Sequence, residues 1–181
     1  MYKYDIAKNG SENMLALLNE SAKEGVVVTA ADVSWSVPAA DATVAGANTK
    51  ITLSVVEGSE VVNNESPAID RHYTRLDLST VLTTLGADTA FEETLEAYDT
   101  DAKKLAKFVD ATGIKLEAGD ATVATDEESA TVTITMVATH LGLIGSAEML
   151  FEKPVPELPS LNDTFTGETL NGFDAPAAGG A

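Results

Sequence analysis

Thr131-Val132-Thr133-Ile134-Thr135-Met136 alternates hydroxylated and apolar side chains without a break. A period of two puts Val132, Ile134 and Met136 on one face of a strand and the threonines on the other. The same alternation occurs earlier, where Ile51, Leu53 and Val55 are interleaved with Thr52 and Ser54. These two half-buried strands decide the fold class, because similar elements flank both.

Ahead of the earlier strand, Met14, Leu15, Leu17, Leu18 and Ala22 form the apolar side of a helix that Ser11 is placed to cap and Gly25 to stop. Val26-Val27-Val28 reads as a short strand or extended segment. Thr29-Ala30-Ala31-Asp32-Val33 reads as a brief helical turn, and Trp35 and Val37 lie in an extended stretch that Pro38 interrupts. Residues 39–48 and 57–67 have loop composition, and His72-Tyr73-Thr74-Arg75-Leu76-Asp77-Leu78 is a second strand.

Ahead of the later strand, the stretch from Leu78 to Asp88 reads as a linker. Phe91, Leu95 and Tyr98 then have helical spacing. A further helix carries Leu105, Phe108 and Val109, starts near Asp99-Thr100-Asp101 and stops at Gly113. Ile114 to Val123 parallels Val26 to Trp35, with Asp120 in the place of Asp32 and Gly113 in that of Gly25. Gly142 and Gly145 mark a turn, and Ala147 to Glu152 is the last strand. The expected fold class is α+β: two related units, each a helix packed on a small, mainly antiparallel sheet. The units span residues 1–80 and 81–153. Pro154, Pro156 and Pro159 forbid regular pairing, so residues 154–181 are expected to form an extended C-terminal arm.

The chain has 181 residues, 44% of them hydrophobic, which is enough for a core. Its formal net charge of −18 repels phosphates and anionic headgroups, which argues against nucleic acid and membrane partners. There is no cysteine, which excludes disulfides, thiolate nucleophiles and cysteine-type zinc sites. No apolar run is long enough to span a bilayer and the N-terminus lacks a secretory stretch, so synthesis in the cytoplasm is expected.

The chain carries only two histidines, His72 and His140, too far apart in sequence for a helical metal pair, and a structural or exposed role is expected of each. No Gly-x-Ser-x-Gly elbow is present, and Gly119, Gly142 and Gly145 are not followed by a phosphate-binding lysine. Glu92-Glu93, Asp99 with Asp101, and Asp126-Glu127-Glu128 read as solvated surface, with a calcium site as the weaker alternative. Trp35 is expected in the core, or else as an interface anchor. Arg71 and Arg75 are expected in local salt bridges rather than on an acidic neighbour. No catalytic residue, cofactor or metal ligand is expected.

Further stretches carry a likeness: Tyr4-Asp5-Ile6, Ser11-Glu12-Asn13, Thr29-Ala30-Ala31-Asp32-Val33, Asn48-Thr49-Lys50-Ile51-Thr52-Leu53, Tyr73-Thr74-Arg75-Leu76-Asp77-Leu78 and Leu170-Asn171-Gly172-Phe173. Together they resemble a family of virion structural proteins of large tailed bacteriophages. The resemblance implies a virion component without catalytic residues. The first expectation is a capsid decoration (cement) protein bound to the major capsid protein or other virion proteins, in a symmetric lattice of its own copies. The expected contacts are Tyr2, Tyr4, Leu161, Phe165, Leu170 and Phe173. A tail tube or neck subunit is the alternative, and a host-surface or carbohydrate-binding adhesion module is the third.

Overall fold

The computed structural model describes residues 2–153. Asn9 opens the first helix, α1 (Gly10–Ser21), through a capping box. Its side chain accepts from the Glu12 N–H, and Glu12 accepts from the Asn9 N–H, both at 2.8 Å. The cap is therefore Asn9, not Ser11. The helix also ends earlier than expected, at Ser21, and Gly25 (φ +80°) belongs to the turn beyond it. Asn19 shapes the chain past that turn: its amide holds both the N–H and the C=O of Val28. This fixes Val26–Val28 as extended chain without a strand partner.

Strands β1 (Val33–Trp35), β2 (Ala39–Ala40), β3 (Thr49–Val55) and β4 (Ile69–Tyr73) form the first sheet. All its pairings are antiparallel; β3 is central, with β1 and β2 along one side and β4 along the other. The expected strand from His72 to Leu78 is broken at Thr74-Arg75. Beyond the break, Leu76–Asp77 (β5) leaves to pair with Leu143–Ile144 (β9) in parallel.

The expected linker is instead a helix, α2 (Leu78–Leu85), which Asp77 caps by accepting from the Thr80 N–H and Gly86 ends with φ 64°. The helical spacing of Phe91, Leu95 and Tyr98 is also corrected. Ala90–Thr94 is a strand, β6, and Leu95–Ala97 a short 3₁₀ turn, so the three apolar groups share a side without a common helix. Thr100 caps α3 (Asp101–Thr112), and Gly113 (φ 71°) ends it, as expected.

The second sheet contains β7 (Ala121–Asp126), β8 (Thr131–Met136) and β10 (Ser146–Glu152) in the order β6-β10-β8-β7; only β6 runs parallel to its neighbour. The larger core sits here, where Phe108, Ile114, Val132, Ile134, Leu143 and Met149 lose all solvent contact. The alternation at residues 131–136 thus faces inward as its pattern predicts. A smaller cluster joins Met14 and Ile51, with Trp35, Leu53 and Tyr73 packed around it. The two clusters interlock: Leu78 and Leu82 belong to the larger one, and Leu141 to the smaller.

One hydrogen-bond pattern occurs twice. The N–H of Asp32 donates to Thr29 O and that of Asp120 to Glu117 O, and each carboxylate accepts from the same residue's N–H. Val56 then donates to Asp32 O, and Val137 to Asp120 O, both at 3.0 Å. The fold is α+β with mainly antiparallel sheets. The expected C-terminal arm lies outside the described residues.

Candidate functional site

Asn13 is buried on the first turns of α1, and its amide gathers the N-terminal segment. Nδ2 donates to the carbonyls of Asp5, Lys8 and Asn9, each at 3.0 Å, while Oδ1 accepts from the Tyr2 hydroxyl and the Asp5 N–H. A buried amide with every group satisfied fixes one conformation. Residues Tyr2 to Ile6 are thereby strapped across the seam between the halves, where Ile6 O accepts from the Lys115 N–H at 2.8 Å.

The Tyr4 ring lies against Gly142, leaving no room there for a Cβ. Its hydroxyl is buried without a partner among the described residues. Burial, and then the nearby Asp120 charge, push its pKa up to about 12. Tyr4 is thus a neutral packing group.

Arg75 crosses the same seam. It is 7% exposed, its Nε donates to Thr49 Oγ1 at 2.9 Å, and its Nη1 donates to Ala138 O at 2.8 Å and His140 O at 3.2 Å. A salt bridge was expected; the guanidinium is held instead by a hydroxyl and by two carbonyls of the loop between β8 and β9. Asn48 clasps the Arg75 backbone on both sides, at N–H and C=O, and Tyr73 donates to Leu141 O at 2.8 Å. Arg71 lies on the surface and donates to Asp70 O.

His140 Nδ1 accepts from the N–H groups of Gly142 and Leu143, so any proton on the neutral ring is at Nε2. That Nε2 is buried, with Asp120 Oδ2 at 4.0 Å. Burial lowers its pKa below the ordinary value, against the opposing pull of Asp120. His72 is half-buried, 3.4 Å from Asp41. Both histidines hold structure together.

The acidic clusters are spread over local tasks. Glu93 pairs with Lys107 at 2.8 Å, and both amine and carboxylate engage the Tyr98 ring or its hydroxyl. Lys107 also stands 4.5 Å over the Phe91 ring. Asp99 pairs with Lys103, and Asp126 accepts from Glu128 and Ser129 N–H groups to shape its turn. Among the described residues no group of three or more carboxylates and histidines is gathered for a metal ion.

A cleft of about 520 Å³ remains between the N-terminal strap and α2, lined by Tyr2, Tyr4, Ile6, Leu76, Val81 and Leu85 among others. Leu76 and Leu85 are 40% and 43% exposed there. Of the expected contact residues, Tyr2 and Tyr4 thus edge this cleft, while Leu161, Phe165, Leu170 and Phe173 lie outside the described residues. Asn13, Asn48 and the Asp77 cap are not evident in the sequence pattern. Only Asp77, placed before a possible helix, carries a signal that could have found it. No helix among the described residues is long and apolar enough to cross a membrane.

An interlocked α+β chain with an apolar cleft at its seam is what the geometry defines. Residues 3–180 match the model of a family of unknown function (DUF7941), and the chain belongs to that family. No curated protein and no solved structure matches it.

Proposed function

We propose that this chain is a non-enzymatic structural component of a tailed-phage virion: a capsid decoration protein, made in the host cytoplasm, that docks on the major capsid protein of the outer head lattice. The observation that carries this reading is the division of labour among its side chains. Arg75, His140 and Asn13, the buried groups with the most chemical potential, all make internal bonds. What faces outward is an acidic surface interrupted by the apolar cleft beside α2. Such a surface stays dispersed before assembly and offers a place for a partner's apolar anchor. Weak contacts of this kind become strong when a lattice multiplies them.

The repeated Asp32 and Asp120 turns support a further reading, that the two halves are related units. A tail tube or neck subunit is the second functional reading. The outer side of β4, on which no strand among the described residues lies, favours it, since ring subunits join through sheet edges. The adhesion reading has less support, because Trp35 packs into the smaller cluster instead of offering a platform.

Adding purified chain to heads that lack it tests the docking. Leu85→Asp should weaken binding roughly 10- to 100-fold, as expected for losing one buried leucine contact of about 1.5–3 kcal/mol. Equal binding by the variant and the native chain refutes the cleft as the docking site.

A further inference from the structure

The two sheets differ at one edge. In the second sheet β6 covers the outer side of β10: Leu150 lies opposite Ala90 and donates to Thr89 O at 2.8 Å. In the first sheet the place of Leu150 belongs to His72. The register establishes this. Val56 and Val137 mark the same point after β3 and β8, so Thr49 matches Ala130, and these bond or face Tyr73 and Phe151.

The open side of β4 is fixed by alternation. Ser36 N–H donates to Thr52 O, so the even-numbered residues of β3 turn toward β1 and the odd-numbered ones toward β4. Asp70 and His72, opposite even-numbered residues of β3, therefore turn their N–H groups outward. The outward Asp70 O accepts from the Arg71 side chain, and no strand among the described residues lies on this edge.

The sequence holds a second copy of the strand that fills such an edge. Asp88-Thr89-Ala90-Phe91-Glu92-Glu93-Thr94-Leu95-Glu96-Ala97-Tyr98-Asp99 contains β6 and its following turn. Asp163-Thr164-Phe165-Thr166-Gly167-Glu168-Thr169-Leu170-Asn171-Gly172-Phe173-Asp174 repeats it, with Asp, Thr, Glu, Thr, Leu and Asp at matching places and Phe173 for Tyr98. Phe91, Leu95 and Tyr98 pack this segment onto the larger core, with Phe91 and Tyr98 against Phe151, and the repeat has Thr166 in the place of Phe91. Leu170 and Phe173 hold their places in the repeat, and Tyr73 holds that of Phe151.

We propose that residues 163–174 of one copy add to the outer edge of β4 in a second copy, as a parallel strand, the way β6 adds to β10. Charge agrees in sign: residues 154–181 carry Glu157, Asp163, Glu168 and Asp174 with no lysine or arginine, while β4 carries Arg71 and His72, with its Asp70 paired to Lys50 and His72 3.4 Å from Asp41. Reach favours a second copy over the same chain. Glu152 ends β10, about 20 Å from Ser146 at the rise of a strand, and β4 leads into β5, which pairs with Leu143–Ile144 just before Ser146. The ten residues 153–162 span at most about 36 Å when fully drawn out. A link that must run back along β10 to reach β4 contributes little effective concentration, whereas a neighbour has no such limit. Each copy gives one strand and receives one, so the contact is head-to-tail and builds rings or strings.

This names a self-contact for the lattice reading but is measured on the isolated full-length chain, so its failure and that of virion placement are told apart. Sedimentation velocity over a concentration series should show association that His72→Pro abolishes at the receiving edge. Leu170→Asp with Phe173→Asp should abolish it at the donated strand. Mixing the two variants should restore a dimer, since one keeps the edge and the other the strand, a result misfolded chains cannot give. Hydrogen exchange at the Asp70 and His72 amides should slow at least tenfold as association proceeds. A native chain that stays monomeric, variants that associate like the native chain, or a mixture that recovers nothing overturns the proposal. Protection of His72 that is independent of concentration also overturns it, placing the strand in its own chain.

Discussion

Replacing Arg75 with methionine keeps a long stem in the seam and removes only the guanidinium. Two effects oppose each other. The native chain buries a cation against a hydroxyl and two carbonyls, and removing such a charge relieves a desolvation cost. Against this, the buried His140 carbonyl and the part-buried Ala138 carbonyl lose their donor, while the Thr49 hydroxyl keeps Asn48 Oδ1 as its acceptor. Each buried polar group left without a partner costs about 1–3 kcal/mol. The two carbonyls outweigh the relief, because they belong to a short loop fixed on both sides by β8 and β9. The expected net loss is about 3 kcal/mol, within the range of large single-site effects. For a chain of this size that lowers Tm by roughly 6–12 °C. Urea unfolding followed by circular dichroism reads it directly, with Arg71→Met as the control. Arg71 is exposed and bonds the neighbouring Asp70 carbonyl, so its replacement should stay within about 0.5 kcal/mol. Arg75→Met as stable as the control would refute the argument that this side chain joins the halves.

The same seam sets two more outcomes. His140 has a folded pKa below its ordinary 6.5, so the unfolded chain takes up its proton first. Its contribution to stability is therefore lost as pH falls below the ordinary 6.5 toward the lower folded pKa, and His140→Gln should flatten that part of a stability-against-pH curve. Gly142→Ala puts a methyl group into the Tyr4 ring and should cost about 1–3 kcal/mol, with faster hydrogen exchange from Tyr4 to Ala7. Exchange unchanged in that segment would show that the strap does not depend on Gly142.

Where local signals agreed with tertiary packing, the sequence was legible. Residues 131–136 and 51–55 alternate because one face of each strand is buried, and Thr100 with Gly113 brackets α3 because each satisfies backbone groups at a helix end. The helix α2 was missed for a physical reason. Leu-Ser-Thr-Val-Leu-Thr-Thr-Leu is rich in β-branched and hydroxylated residues of low helix propensity, and the burial of Leu78 and Leu82 overrides that preference. Phe91, Leu95 and Tyr98 misled in the opposite direction: a strand followed by a 3₁₀ turn brings residues at helical spacing to one side. Tyr2 and Tyr4 were expected as contact residues, and the structure places them along the cleft. What binds them, Asn13 and Gly142, was not, since an amide's partners and a ring's resting place are set by chain segments distant in sequence.

The most direct test of the virion assignment is immunogold labelling of intact tailed-phage particles encoding this chain, using an antibody to it. The decoration reading predicts gold spread over the head surface. Gold confined to the tail or neck contradicts it in favour of a tube subunit, and particles bare of gold both intact and disrupted contradict placement in the virion altogether.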